Sequence, residues 1–227
     1  MSYKNFIVSG ATGNLGQAVV QAFLKEGHQV IGLVHHRKGE KPQVEGYQEV
    51  EMDLTQEDKV KQVTAALLEK YKQIDGVILT AGGFKAGTLA HTSVRDLEVQ
   101  YRLNFITAYT LVQALLPHFK EKQQGKFFFI GSIPGRDTTK GKGAVAYSLA
   151  KSQLFQLANI INAAYKHQSI KAYVVVPSTI DTPQNRKAVP DADFSKWEKP
   201  AHIAKIILHY SQNPEEQKTT LIVQEER

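Results

Sequence analysis

Tyr147 and Lys151 stand four residues apart, so on a helix their phenol and ammonium share one face. A free phenol titrates near about 10 and is a poor acid–base catalyst at neutral pH, so it needs a neighbouring positive charge to bring it into range. The same spacing also arises by chance on amphipathic helices, where it means a half-buried Tyr beside a solvated Lys. Its meaning depends on what stands nearby. Upstream, Ser132 ends the run Ile130-Gly131-Ser132, and Asn104 is a polar residue within the apolar Leu103-Asn104-Phe105. The chain has no cysteine, which excludes disulfides, a thiol nucleophile and any thiolate metal site. Its chemistry must come from oxygen and nitrogen groups, and no metal set is expected.

A second chemical feature lies near the start, in Ser9-Gly10-Ala11-Thr12-Gly13-Asn14-Leu15-Gly16. Glycines here permit a tight turn, a close backbone approach to a pyrophosphate and close packing of helix on strand. The N–H groups at the helix start face the anion with a positive dipole end. Turns of this kind also occur without a ligand, but the placement directly after a strand and into a helix fits dinucleotide binding. After the next strand, Gly32-Leu33-Val34 continues as His35-His36-Arg37-Lys38, with no acid until Glu40. A ribose 2′-phosphate would meet no carboxylate there, and Arg37 could clamp it through charge-assisted hydrogen bonds, favouring NADP(H) over NAD(H). The plainer alternative is a cluster of solvated loop bases.

These groups need a scaffold. Seven apolar runs read as strands: Asn5 to Ser9, Gln29 to Val34, Tyr47 to Glu51, Gly76 to Leu79, Lys126 to Ile130, Ala172 to Val176 and Thr220 to Val223. Between them, three- and four-residue apolar spacing marks helices at Leu15 to Lys25, Gln56 to Tyr71, Val94 to Phe119, Val145 to Tyr165 and Ala201 to Ser211. Nearly continuous apolar strands alternating with helices predict an α/β fold, a doubly wound and mainly parallel sheet covered on both faces. We expect residues 1–227 to form a single Rossmann-like domain, with the proline-rich stretch Pro177 to Pro200 as an irregular substrate-covering loop.

The glycine turn with Asn104, Ser132, Tyr147 and Lys151, in this order and on these elements, resembles the cofactor turn and the Asn, Ser, Tyr and Lys tetrad of short-chain dehydrogenases/reductases. The resemblance covers nearly the whole chain. It implies Tyr147 as general acid in reduction, Lys151 lowering its pKa and binding the nicotinamide-ribose hydroxyls, Ser132 orienting the substrate oxygen, and Asn104 holding a proton-relay water. A non-catalytic dinucleotide sensor is the competing class, but it has no need of Tyr147 and Lys151 on one face. Ser132 stands about two residues further from Tyr147 than is usual, so the segment from Arg136 to Gly143 must bulge; a strand-end hydroxyl capping a turn is the bland reading. Asp53-Leu54 resembles the family's Asp near the adenine, with a helix N-cap ahead of Thr55 to Glu57 as the alternative, and Ala81-Gly82-Gly83 resembles its groove-lining segment. Pro177-Ser178-Thr179-Ile180-Asp181-Thr182 resembles the family's Pro-Gly-x-Ile-x-Thr, whose Ile and Thr contact the nicotinamide, with Ser178 in place of glycine.

The G-x-x-G-x-x-G spacing departs from the G-x-x-x-G-x-G of most members and is similar to that of extended, atypical and dihydropteridine-reductase-like ones. The stretches Asp181 to Lys187, including Asn185, and Pro190 to Trp197 closely resemble dihydropteridine reductases, as does Ala81-Gly82-Gly83-Phe84. The resemblance makes Phe84 and Asn185 candidate substrate contacts, with Phe84 as core filler the alternative. Those enzymes, however, carry an acid at the end of strand two, use NADH and lack the serine at Ser132. We therefore expect an NADP(H)-dependent reductase of a carbonyl or related conjugated small molecule, with quinonoid dihydropterin second.

The net charge of +6 raises the possibility of a nucleic-acid partner, but the bases are scattered and no reading motif accompanies them. No apolar run is long enough for a membrane span and no signal-peptide core opens the chain, so the expected compartment is the cytoplasm. The two long helices resemble those through which the family pairs, which implies a homodimer or homotetramer.

Overall fold

The computed structural model describes residues 3–36, 39–40, 43–213 and 218–223. Strands β1 (Asn5–Ser9), β2 (Gln29–Val34), β3 (Tyr47–Glu51), β4 (Gly76–Leu79), β5 (Gln124–Ile130), β6 (Ser169–Val176) and β7 (Thr220–Ile222) form one sheet in the order β3-β2-β1-β4-β5-β6-β7. Every neighbouring pair is parallel. The expected strands are all present, and β5 and β6 begin two and three residues earlier than the apolar runs suggest, where Gln124 and Ser169 pair on the ladder despite being exposed.

Alternation along β5 shows how the sheet sorts its side chains. Phe127 and Phe129 enter one core with α2 (Glu57–Tyr71), α4 (Thr107–Lys122) and α6 (Val145–Ala164), while Phe128 enters the other with α1 (Asn14–Lys25) and α8 (Pro200–Gln212). All three are fully buried, as a strand covered on both faces requires. The strand order reverses direction between β1 and β4, which opens a crevice at the carboxyl ends of those strands, the usual ligand position in such sheets.

Three irregularities depart from the expected pattern, and all three lie at that crevice. The helix expected from Val94 to Phe119 is α3 (Val94–Tyr101), a π-helical turn at Arg102–Ile106, and then α4. The segment expected to bulge after Ser132 folds as a four-residue helix α5 (Ile133–Arg136) and a 3-10 turn at Thr138–Gly141, and is tied to the β4 side by Gly87 N–H to the Gly143 carbonyl at 2.8 Å. Finally, the 177–200 stretch is not irregular throughout. It holds α7 (Pro183–Ala188) and a 3-10 turn at Phe194–Lys196, and its base is closed by Asp181 N–H to the Glu198 carbonyl and Glu198 N–H to the Thr179 carbonyl, each 2.8 Å.

Candidate active site

The glycine turn connects β1 to α1 as expected. Gly10 takes φ +63°, a left-handed conformation that a side chain would strain. A methyl group at Gly16 would lie 2.2 Å from the Gly10 carbonyl oxygen, so only glycine lets the helix close onto the turn. The first residue of the helix is Asn14, its N-cap Gly13 supplies no side-chain acceptor, and no acid occupies the first turn. That leaves N–H groups at an open, positive helix end, which suits the pyrophosphate of a dinucleotide. Leu15 is buried beneath the turn, while Asn14 reaches across the crevice to donate from Nδ2 to Gln184 Oε1 of α7 at 2.8 Å. Thr12 uses its carbonyl to accept from Gln17 Nε2 at 3.0 Å.

At the far end of the crevice, Asp53 organises the turn after β3. Its Oδ1 accepts from Thr55 N–H and Oγ1 at 2.9 and 2.8 Å, and its Oδ2 from Gln56 Nε2 at 3.1 Å. These bonds, led by the Thr55 backbone, hold its carboxyl below the usual carboxylate value. Asp53 is not the helix N-cap, since Gln56 takes that position in α2 without a side-chain bond. Leu54 is buried, and its carbonyl accepts from Thr110 Oγ1 at 2.8 Å. His35 stands 3.8 Å from Asp53, whereas Arg37, and with it the expected clamp on a 2′-phosphate, lies outside the described residues.

Between these ends the four proton-handling candidates converge. Ser132 follows β5 by two residues, accepts from Gly135 N–H at 3.0 Å as N-cap of α5, and stands near enough to the Tyr147 phenol to draw its pKa down. Lys151, one turn further along α6, is buried and donates from Nζ to the Ile130 carbonyl at 2.8 Å. Asn104 is buried within the π-helical turn. Its Nδ2 donates to the carbonyls of Gly83 (2.9 Å) and Gln100 (3.1 Å), and its Oδ1 accepts from Gly83 N–H (3.2 Å), so its amide clamps the Ala81-Gly82-Gly83 segment. A methyl placed on Gly82 would come within 2.7 Å of Asn104 Oδ1 and 3.4 Å of Lys151 Nζ, which measures how closely these groups gather. Single π-turns inside α-helices recur at functional sites. The extra residue in this one turns Asn104 inward, a displacement that apolar periodicity does not register.

The electrostatics differ from the expectation that Lys151 brings the phenol down. Burial pushes the Tyr147 phenol up, and the Ser132 hydroxyl acts in the opposite direction without overcoming it. The Lys151 ammonium lies over the face of the tyrosine ring, 5.8 Å from its centroid, and is itself brought down to about 8 by burial. The protein's own groups thus keep Tyr147 protonated, the state a proton donor requires.

Around this centre, Phe84 is 65% exposed and meets Tyr147 edge to face at 5.1 Å, which rules out the core-filler alternative. Asn185 does not present a free amide. Its Nδ2 donates to the Ile180 carbonyl at 2.8 Å, and its N–H caps onto Thr182 Oγ1 at 3.2 Å, so it shapes the loop that follows Pro177. Ile180 bridges to Glu198, and Thr182 serves as N-cap of α7. Sequence reasoning missed Gln100, whose Oε1 accepts from Asn104 Nδ2 at 3.2 Å, and Gln184; the four-residue spacing from Gln100 to Asn104 was the available signal for the first. Among the described residues, no group of three or more His, Asp or Glu side chains gathers to hold a metal, and no helix is long and apolar enough to cross a membrane.

Comparison with known proteins gives a concordant result. The family model described as short chain dehydrogenase matches residues 4–193. Dehydrogenase/reductase SDR family member 6 of Xenopus laevis is 26% identical over 191 residues, spanning 82% of this chain and 75% of the relative. The 3-oxoacyl-acyl-carrier-protein reductase FabG of Thermotoga maritima is 22% identical, spanning 90% and 89%. Among solved structures, that of ElxO with NADP bound superposes with a TM-score of 0.89 at 20% identity, covering 98% of this chain and 97% of that one.

Proposed function

Because the chain belongs to the short-chain dehydrogenase/reductase family, and so is an oxidoreductase that works with a nicotinamide dinucleotide, we propose that it reduces a carbonyl or related conjugated small molecule at the expense of NADPH. The observation that carries this reading is a phenol raised by burial, with a buried ammonium one helical turn on and 5.8 Å from its ring centroid. A reduced nicotinamide bound in the crevice supplies the hydride. Ser132 and Tyr147 then hold the substrate oxygen, and Tyr147 delivers its proton there as negative charge develops. Lys151 keeps the resulting phenolate from accumulating uncompensated charge and offers its remaining N–H donors to ribose hydroxyls. Asn104 fixes the Gly82–Gly83 wall against which the cofactor would lie. Residues 1–227 act in this reading as one domain.

The preference for NADPH rests on the absence of an acid at the end of β2, where His35 and His36 follow Val34. Titration with NADPH and NADH, followed by nicotinamide fluorescence, tests it: tighter NADPH binding supports the reading, tighter NADH binding refutes the preference, and binding of neither refutes the dinucleotide itself. One observation favours a second substrate class. The exposed Phe84 ring against Tyr147 provides an aromatic wall for a flat heterocycle, which keeps quinonoid dihydropterin on the substrate screen.

The proposed assembly is a homodimer or homotetramer through α3, α4 and α6. Tyr101, Phe105 and Tyr109 form a ladder with ring centroids 5.0 and 5.9 Å apart, and Val99, Leu149 and Ile160 are exposed on the same set of helices. Light scattering at micromolar concentration checks it, and a monomer would refute it.

A further inference from the structure

Helix α3 buries a polar side chain and exposes apolar ones. Its buried residue is Gln100, 3% exposed, while Val94, Val99 and Tyr101 of the same helix stay exposed. Taking an amide out of water costs free energy unless it is hydrogen-bonded, so Gln100 needs a partner inside the protein. That partner is Asn104. Its Nδ2 carries two hydrogens and meets three oxygens: the Gly83 carbonyl at 2.9 Å, the Gln100 carbonyl at 3.1 Å and Gln100 Oε1 at 3.2 Å. Gly83 takes one hydrogen, and the two oxygens of Gln100 share the other. On the opposite side of the amide, Asn104 Oδ1 accepts from Gly83 N–H at 3.2 Å. Asn104 is thus held between Gln100 on α3 and Gly83 after β4. The same Oδ1 stands close to Gly82, where an added methyl would lie 2.7 Å from it and 3.4 Å from Lys151 Nζ.

We propose that Gln100 is a positioning residue for hydride transfer: it fixes the Asn104 amide and, through it, the depth of the Gly82–Gly83 wall beside Lys151. The inference rests on the reductase reading above. Gln100 belongs to the regular helix before the π-helical turn, whereas Asn104 lies within that turn. The shared hydrogen bond therefore pins the irregular turn to α3 at the residue that faces the cofactor groove. Without Oε1 the Asn104 amide keeps Gly83 and the Gln100 main chain, so the wall remains but gains freedom to shift. Reacting atoms must be closely aligned, and a displacement of about 1 Å can cost about a hundredfold in rate. Affinity for a dinucleotide is spread over its whole length and feels such a shift far less. Loss of one neutral hydrogen bond corresponds to a change of about three- to tenfold. That change is expected in the rate of hydride transfer and not in NADPH affinity.

The test compares the full chain with Gln100→Met, which keeps the length without the acceptor, Gln100→Glu, which keeps an acceptor oxygen, Asn104→Ala, and Gln100→Met combined with Asn104→Ala. Each is titrated with NADPH, following the emission of the bound nicotinamide, and the bound NADPH is then oxidised in single turnovers by phenanthrenequinone, a flat dicarbonyl. Gln100→Met is expected to slow hydride transfer about three- to tenfold and to change the emission of bound NADPH, with Kd within about threefold of the native value. Gln100→Glu is expected to stay within about twofold of the native rate, and in the Asn104→Ala background Gln100→Met is expected to have no further effect. An unchanged rate and emission in Gln100→Met, or losses that multiply in the double variant, would overturn the positioning role and leave the reductase reading standing. If circular dichroism shows that Gln100→Met does not fold, Gln100→Glu decides, and a rate below half the native one overturns the role. If the native chain leaves this quinone unreduced, the emission of bound NADPH decides by the same comparison. A native chain that does not bind NADPH overturns both readings.

Discussion

Lys151 permits a prediction whose size comes from the structure. Its ammonium is buried on α6, donates to the Ile130 carbonyl at 2.8 Å, and is brought from 10.5 to about 8 by that burial. If the charged form is required for turnover, about nine-tenths of the free enzyme is competent at pH 7 and just under one-tenth at pH 9, so kcat/KM for reduction falls about tenfold between them. A limb arising from Tyr147 would lie above the ordinary phenol value, because burial raises that group, and so the two are separable on one profile. The same burial has a cost in stability. Holding an ammonium at about 8 rather than 10.5 costs the fold about 3 kcal/mol at neutral pH. The folded state binds this proton more weakly than the unfolded one, so the penalty is complete below pH 8 and disappears as pH rises toward 10.5. Lys151→Met removes it but strips the Ile130 carbonyl of its donor, a loss of about 1–3 kcal/mol. The variant is therefore expected to be inactive and between unchanged and about 2 kcal/mol more stable in urea at pH 7. A profile flat from pH 7 to 9 would refute the requirement for charge, and a Met variant less stable by more than about 1 kcal/mol would refute the burial argument.

Tyr147→Phe should lower turnover by about a hundredfold or more while leaving NADPH affinity within a few fold, measured by steady-state rates and fluorescence titration; retained turnover would remove Tyr147 as the acid. Gly16→Ala places a methyl 2.2 Å from the Gly10 carbonyl, so dinucleotide binding should be lost and the melting temperature reduced, and normal binding would show that the turn can open. His118 is buried, with its pKa lowered chiefly by burial, and its Nε2 accepts the Ile74 N–H at 3.2 Å. Its contribution to stability is thus present above the ordinary imidazole value and is lost as pH falls below it. Urea midpoints between pH 7.5 and 5 should decline less steeply in His118→Gln than in the native chain, and equal slopes would assign the acid sensitivity to other groups.

Continuous apolar runs made the sheet legible, because a strand buried on both faces has no polar residue to blur it: Val30, Ile31, Leu33 and Val34 of β2 are all fully buried. The glycine turn was equally legible, since only the absence of a side chain satisfies the 2.2 Å approach at Gly16. What apolar spacing did not reveal are the departures from regular period. The π-helical turn at Arg102–Ile106 adds one residue per turn without changing residue type, so the Val94 to Phe119 pattern reads as one helix. In the 177–200 stretch, Thr182-Pro183 is an N-cap and first-turn pair that begins α7, a start signal overlooked among the surrounding prolines. Asn185 is a candidate through the resemblance of its stretch to dihydropteridine reductases, but its amide is spent on the Ile180 carbonyl, a contact only the folded loop shows.

The two shifted groups on α6 also bear on the direction in which the site works. In oxidation the phenol must start as phenolate to accept the substrate proton, and here burial opposes that state while the ammonium that would favour it lies over the ring face, itself weakened by burial. In reduction the phenol must start protonated, and burial supplies this without help. The developing charge then moves from substrate to phenolate beside an ammonium that is mostly charged at neutral pH. Desolvation is thus unfavourable to Tyr147 as a base and favourable to it as an acid, so the reductive rate should exceed the oxidative one at pH 7 and the oxidative rate should climb with pH until Lys151 loses its proton. An oxidative rate that is already maximal at pH 7 would mean that the phenol is ionised in the working enzyme and that burial does not set its state.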